Sequence, residues 1–186
     1  MGDLRQIHQS MLESVRALQP RPSSLLDIGS GSGVLTQALA ASLPRATLTA
    51  VDTYRPIHTR HNITFVPGKA ESLPFEDSSF DVVTASLSLH HWQNKQKGLR
   101  EAFRVLKDDG RLIIGDPLLD GPLRSRFWGW LAQTIDRGNF TAPDELRGYL
   151  ARAGFTEPVI RVVPGSLNPL YLITASKSGS TLERAR

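Results

Sequence analysis

The sequence has 186 residues, 40% hydrophobic and 22% charged, with a formal net charge of +4 and no cysteine. Such a length suits one domain with a sizeable core, and the missing cysteine removes disulfides, thiolate metal ligands, iron–sulfur clusters and cysteine nucleophiles. No apolar run approaches the roughly eighteen residues that cross a bilayer, and the polar start Met1-Gly2-Asp3-Leu4-Arg5 lacks the apolar region of a secretory signal, so a cytoplasmic location is expected.

Leu4, Ile7, Met11, Val15 and Leu18 recur at helical spacing and predict a helix over 4–18, ended by Pro20 and Pro22. The short apolar run 24–28 predicts a strand, the glycine cluster after it a tight turn, and 34–41 a helix. Further strands are predicted at 47–51, closing on Asp52, at 63–66 and at 81–85. A helix over 95–106 groups Leu99, Phe103 and Leu106 on one face and meets Gly110 at its end, before a fifth strand at 111–115. Residues 123–135 read as helix and carry Phe127, Trp128 and Trp130. Thr141-Ala142-Pro143-Asp144 opens another helix with a capping hydroxyl and a proline in its first turn, and Gly154 ends it. Two runs at about 158–163 and 170–175 flank the turn-rich segment 164–169 and predict an antiparallel hairpin.

Alternation of strands with helices predicts the α/β class: a doubly wound, mostly parallel, Rossmann-like sheet of about seven strands with a C-terminal antiparallel hairpin. One domain over 1–176 is expected, with 1–20 as a covering helix, 117–142 as an insertion on the substrate side and 177–186 as a disordered tail. Segment 53–62, interrupted by Pro56, is too short for the usual second crossover helix. The basic residues are scattered, densest from Lys177 to Arg186, and read as solvated surface, which makes a nucleic-acid partner unlikely and leaves a small-molecule partner favoured.

Asp27-Ile28-Gly29-Ser30-Gly31-Ser32-Gly33 falls between strand and helix, where residues lacking a β-carbon reach positive φ and let a ligand approach the backbone. Asp52 ends the neighbouring strand, and in a doubly wound sheet such strand ends meet at the ligand crevice, so its carboxylate can accept hydrogen bonds from two ribose hydroxyls. Strand, glycine cluster, helix and acid together predict a nucleoside site. The alternative is a bare turn with Asp52 capping a strand end. Dinucleotide sites use G-x-G-x-x-G for pyrophosphate, whereas this chain has G-x-G-x-G.

The pattern D-x-G-x-G-x-G, followed by an acid closing the next strand, resembles the first two motifs of class I S-adenosylmethionine-dependent methyltransferases. Gly68-Lys69-Ala70-Glu71-Ser72-Leu73-Pro74-Phe75, Ser79-Phe80-Asp81-Val82-Val83 and Leu87-Ser88-Leu89-His90-His91-Trp92 are similar to the third and fourth motif regions of the small-molecule, methyltransferase type 11-like subgroup. Residues 100–107 with 110–112 resemble its helix and fifth strand, so the likeness covers about residues 24–116. It implies S-adenosyl-L-methionine as cofactor, S-adenosyl-L-homocysteine as product and a small-molecule acceptor. By the same resemblance Asp27, Gly29, Ser30, Gly31 and Gly33 border the methionine portion, Asp52 with Thr53 the ribose, Ala70 and Glu71 the adenine, and Ser86 and Leu87 the methionine end. Many relatives carry an aspartate at the place of Lys69, where it accepts from the adenine amino group, and a lysine cannot accept. Either Glu71 and nearby main chain compensate, or the pocket differs. Tyr54 either stacks on the adenine or packs on the sheet edge.

Methyl transfer from a sulfonium is an in-line displacement with an excellent leaving group, so positioning and water exclusion supply much of the acceleration. For a protonated acceptor, His90, His91 and Asp116 are the candidate bases. Orienting the loop is the alternative role for the histidines, and shaping the turn beside Pro117 that for Asp116. His91, Trp92, Phe127 and Trp130 are the candidate acceptor-pocket residues, with an apolar helix face as the other explanation of the aromatics. His58 and His61 have no accompanying ligands, and no metal is expected. A nucleic-acid methyltransferase is the rival within the fold, but residues 86–92 lack the N-P-P-aromatic sequence of exocyclic-amine enzymes, and ring-carbon attack by cysteine is excluded. A degenerate, non-catalytic cofactor binder is the other alternative.

Overall fold

The computed structural model describes residues 2–54, 63–120, 138–164 and 170–178. The expected helix at 123–135, the proline at 56, His58 and His61, most of the turn 164–169 and residues 179–186 of the tail lie outside the described residues. The elements run α1 (Gly2–Arg16), β1 (Ser24–Ile28), α2 (Val34–Ser42), β2 (Thr47–Asp52), β3 (Ile63–Pro67), β4 (Phe80–Ser86), a 3₁₀ turn (Leu89–His91), α3 (Lys95–Val105), β5 (Leu106–Pro117), α4 (Pro143–Ala153), β6 (Thr156–Val162) and β7 (Leu170–Ser176).

They form one seven-stranded sheet in the order β3-β2-β1-β4-β5-β7-β6. The strands from β1 to β5 pair in parallel, and β7 is antiparallel to both β5 and β6. This is the doubly wound α/β sheet with a C-terminal hairpin that the alternation predicts. Within the hairpin the later strand is the inner one, because β7 is buried along nearly all its length while β6 carries Glu157 and Arg161 to the edge.

Consecutive apolar residues on each inner strand supply two cores, since successive side chains leave a strand on opposite faces. Leu26, Val83, Ile114 and Ile173 pack beneath α3 and α4 on Leu99, Ala102, Leu146 and Leu150. Leu25, Val82, Ile113 and Leu172 face the other way, against Ile7, Met11 and Val15 of α1 and Leu35 and Leu39 of α2. The apolar stripe of α1 thus lies on the sheet, as its spacing predicts.

Two local expectations are corrected. The helix α3 ends at Val105, Leu106 is already extended (φ −70°, ψ 137°), and β5 begins there, far earlier than residue 111. The left-handed residue of this turn is Asp109 (φ 62°) rather than Gly110. Gly110 lies in the strand and is required because a β-carbon there would sit 2.7 Å from the Lys107 carbonyl oxygen. At α4 the cap is Ala142 and no side chain caps the helix. Thr141 is buried instead, with its carbonyl accepting from Leu119 N at 3.0 Å and so joining the two ends of the insertion. Pro143 and the acidic pair Asp144 and Glu145 in the first turn replace the capping hydroxyl, and Gly154 (φ 103°) closes the helix as expected.

At the amino ends of the strands Asp81 ties three segments together. Its Oδ2 accepts from Ser23 N at 2.8 Å and Ser24 N at 2.9 Å, and its Oδ1 from Lys107 Nζ at 2.8 Å. Burial alone would raise this carboxyl's pKa, but the bonds from Lys107, Ser23 and Ser24 hold it well below the usual carboxylate range. A depressed folded pKa stabilises the fold fully above the unfolded value near ~3.9 and is lost as pH falls through the folded one. Urea titrations between about pH 6 and pH 2 are expected to show Asp81→Asn losing less stability on acidification than the wild type. A second expectation concerns Gly115, where a β-carbon would meet Ile7 Cγ1 at 2.5 Å and Met11 Sδ at 2.7 Å. Gly115→Ala is expected to push α1 off β5 and lower the urea unfolding free energy by about 1–3 kcal/mol.

Candidate functional site

The carboxyl ends of β1, β2 and β4 meet around a crevice of about 420 Å³. Gly29 (φ 71°), Gly31 (φ 52°) and Gly33 (φ 77°) carry the chain from β1 into α2 in left-handed backbone that glycine alone adopts cheaply. Gly29 N and Ser30 N donate to Val51 O at 2.7 and 3.2 Å, which ties the turn to the end of β2. A β-carbon at Gly29 would collide with the Ser88 side chain, whereas one at Gly31 would meet nothing within 4 Å. Gly29 is therefore fixed by packing against the β4 loop, and Gly31 presents bare backbone to open space.

Asp52 stands across from that backbone. Its Oδ2 accepts from Gly31 N at 2.8 Å and its Oδ1 from Tyr54 N at 3.0 Å. Thr53, Gly68, Lys69, Ala70 and Glu71 continue the wall, with Trp92 buried at its base against Gly98. Tyr54 is 82% exposed at the rim, so it does not pack on the sheet edge. The Lys69 side chain is exposed, and Glu71 Oε1 is engaged by Asn94 N at 3.0 Å, ahead of α3.

Asp27 is not on this surface. It lies buried beneath the turn, where its carboxylate accepts from Thr36 Oγ1 at 2.5 Å and Thr84 Oγ1 at 2.8 Å. Burial raises its pKa, the two hydroxyls opposing the shift. Its part is to lock β1, α2 and β4 together. Gly33 is also buried and outside the crevice. Ser30 and Ser86 line an adjoining hollow of about 310 Å³ that shares Gly29, Gly31 and Leu87 with the crevice and is bordered by Leu4, Arg5 and His8 of α1. His8 Nε2 and Ser86 Oγ are hydrogen-bonded at 3.0 Å. The first helix thus covers the sheet and walls this hollow.

The two histidines separate. His91 is exposed and lines the crevice. His90 is buried, its Nδ1 2.9 Å from Asp116 Oδ1, its ring stacked on Phe140 at 4.9 Å and its carbonyl accepting from Asn139 N at 2.7 Å. Asp116, 1% exposed, also accepts from Leu89 N at 3.0 Å. Burial raises its pKa, against the opposing pull of His90 and the loop amides. His90 and Asp116 are consequently anchors of the loop, and His91 packs on His90 with the two rings 4.0 Å apart. Lys95, buried in the first turn of α3, adds a cation near Asp116, with its pKa lowered by burial and supported by Asp116, Glu145 and Glu71. Phe127 and Trp130 lie outside the described residues.

Three contributors escape sequence reasoning: Ser88, His8 and the Glu101–Arg104 pair. Arg104 donates to Leu73 O at 3.0 Å and Phe75 O at 2.7 Å, and Glu101 accepts from Leu73 N at 2.8 Å. Together they hold the segment after Ala70 while Leu73 anchors it in the core. The i,i+3 spacing of Glu101 and Arg104 on α3 was the available signal. Among the described residues no group of three or more His, Cys, Asp or Glu is placed to hold a metal, and no helix is long and apolar enough to cross a membrane.

A doubly wound α/β sheet with a glycine turn and an acidic strand end at one crevice defines a Rossmann-like protein. Residues 26–114 match the methyltransferase domain model Methyltransf_11. The chain is 33% identical over 110 residues to the uncharacterized methyltransferase YcgJ of Bacillus subtilis, covering 52% of this chain and 44% of that protein. It is 27% identical over 172 residues to the demethylmenaquinone methyltransferase of Thermus thermophilus, covering 75% of this chain and 77% of that enzyme. In the YcgJ match, therefore, the chain spans less than half of the relative's length. Among solved structures, that of YcgJ superposes with a TM-score of 0.74 at 21% identity, covering 94% of this chain and 99% of the other. The 1,6-didemethyltoxoflavin-N1-methyltransferase of Burkholderia thailandensis, bound to its acceptor and S-adenosylhomocysteine, superposes with a TM-score of 0.72 at 23% identity over 93% of this chain and 79% of the other.

Removing the guanidinium fork of Arg104 frees two carbonyls of the 73–75 segment. Arg104→Met is expected to leave the sheet intact but to speed amide exchange at Leu73 and its neighbours by roughly tenfold, about 1.4 kcal/mol of local opening, read by hydrogen exchange.

Proposed function

We propose that the chain transfers a methyl group from S-adenosyl-L-methionine to a small-molecule acceptor. The observation that carries this reading is the Asp52 carboxylate at the end of β2, held across the crevice from the bare backbone of Gly31. Two carboxylate oxygens at that level match two ribose hydroxyls, and the bond from Gly31 N holds the carboxylate directly beside the glycine turn. A volume of about 420 Å³ suits a nucleoside with an amino-acid arm. Gly29, Gly31, Ser30, Ser86 and Leu87 are assigned to the methionine arm, Asp52 and Thr53 to the ribose, and main chain at Ala70 and Glu71 to the adenine. With Lys69 unable to accept and Glu71 engaged by Asn94, adenine recognition is assigned to backbone.

When bound, the cofactor supplies an electrophilic methyl on a sulfonium. The protein's work is positioning: Trp92 closes the base of the crevice, and His91, which lines it, is assigned as the base for a protonated acceptor. His90 and Asp116 fix His91, and Asp27 fixes the turn from below. The insertion 117–142, with Phe127 and Trp130, is assigned to the acceptor side of this single domain. The methyltransferases that act on demethylmenaquinone and on didemethyltoxoflavin support a small acceptor by kinship of sequence and fold.

Calorimetric titration with S-adenosylhomocysteine tests the reading. Wild type is expected to bind with one-to-one stoichiometry, and Asp52→Ala to bind at least about tenfold more weakly, a loss of about 1.4 kcal/mol, with an unchanged melting temperature. Gly31→Ala, whose β-carbon meets no neighbour but whose backbone is strained at φ 52°, is expected to weaken binding by a similar factor. Absence of wild-type binding up to about millimolar ligand would overturn the proposal.

A further inference from the structure

At the opposite end of the sheet from the crevice, the amino ends of β1 and β2 border a hollow of about 410 Å³. It lies about 16 Å away along β1, taking ~3.3 Å for each of its five residues. Arg16 from the last turn of α1, Arg21 from the loop before β1 and Arg45 from the loop before β2 surround it. Pro22, Leu43 and Ala46 form a buried apolar floor, and no carboxylate belongs to the lining. Asp81, at the amino end of β4, is already taken by Ser23, Ser24 and Lys107.

We propose that this hollow binds a phosphoryl anion carrying at least two negative charges, at a site separate from the crevice. Three arginines border this concavity, so their like charges favour an anion there, and the planar fork of arginine matches phosphate oxygens in pairs. A charge complementing a helix terminus explains Arg16, which ends α1. That effect fades beyond the last turn, so it does not explain Arg21 or Arg45. Arg16 is also oriented in advance, its Nε donating to Ser42 Oγ at 2.6 Å, which leaves its terminal nitrogens to turn toward a ligand. The apolar floor favours a phosphate ester with an organic part over the bare ion.

The anion is either a dissolved phosphate compound or the headgroup of a lipid, and two parallel measurements separate these sources. Inorganic pyrophosphate is titrated calorimetrically into the full chain, and the chain is sedimented with phosphatidylcholine vesicles with and without phosphatidic acid. Saturable binding of pyrophosphate, weakened roughly tenfold or more in the double variant R21A/R45A and unchanged in the charge-matched R100A/R161A, establishes the site for a soluble anion. Retention on phosphatidic acid vesicles alone, abolished by R21A/R45A, establishes it for a headgroup. No binding in either arm, or equal loss in both double variants, overturns the proposal. R21A/R45A is expected to keep the wild-type affinity for S-adenosylhomocysteine, so the outcome is independent of the reading of the crevice.

Discussion

Where the chain leaves β1 at Gly29, it passes so near Ser88 that no side chain fits between them. That contact sets the level at which the ends of β1 and β4 face each other, and Ser88 Oγ reinforces it by donating to Ile28 O at 2.9 Å. Everything around the crevice follows from it. The turn then has a fixed start, its amides reach Val51 O on β2, and Gly31 is left facing Asp52. Asp27 supports the same junction from below by joining hydroxyls from α2 and β4. A buried carboxylate is costly unless every bond is made, so its presence marks how much of the local geometry rests on this knot.

The loop after β4 shows the same division between anchor and exposed group. His90 and Asp116 turn inward and make a closed set of bonds, while His91 and Trp92 face the crevice. Adjacent histidines that look equivalent in sequence thus have different surroundings, because a 3₁₀ turn points successive side chains in divergent directions. Lys95 is buried nearby, where Asp116, Glu145 and Glu71 support its charge against burial.

Much of this was legible in the sequence. The doubled apolar pairs Leu25–Leu26, Val82–Val83 and Ile113–Ile114 announce strands covered on both sides, and the glycine cluster with Asp52 announces where those strands open. What escaped detection depends on distance through space. Asp27 reads as a ligand because it precedes the glycines, yet only the meeting of Thr36 and Thr84 shows that it points downward. Gly110 reads as a helix cap because it follows α3, yet its necessity comes from the Lys107 carbonyl three residues earlier in the same strand. Thr141 reads as a cap for α4, yet burial between the two ends of the insertion claims it first.

The double duty of α1 bears on the shape of the smaller hollow. Ile7, Met11 and Val15 are wholly buried on the sheet, and each contributes on the order of 1.5–3 kcal/mol on burial. Lifting the helix away would expose all three at once, a rare event for a protein of ordinary stability. The wall that this helix gives the hollow is therefore a fixed one, and the shape of the hollow on that side does not change while the sheet stays covered.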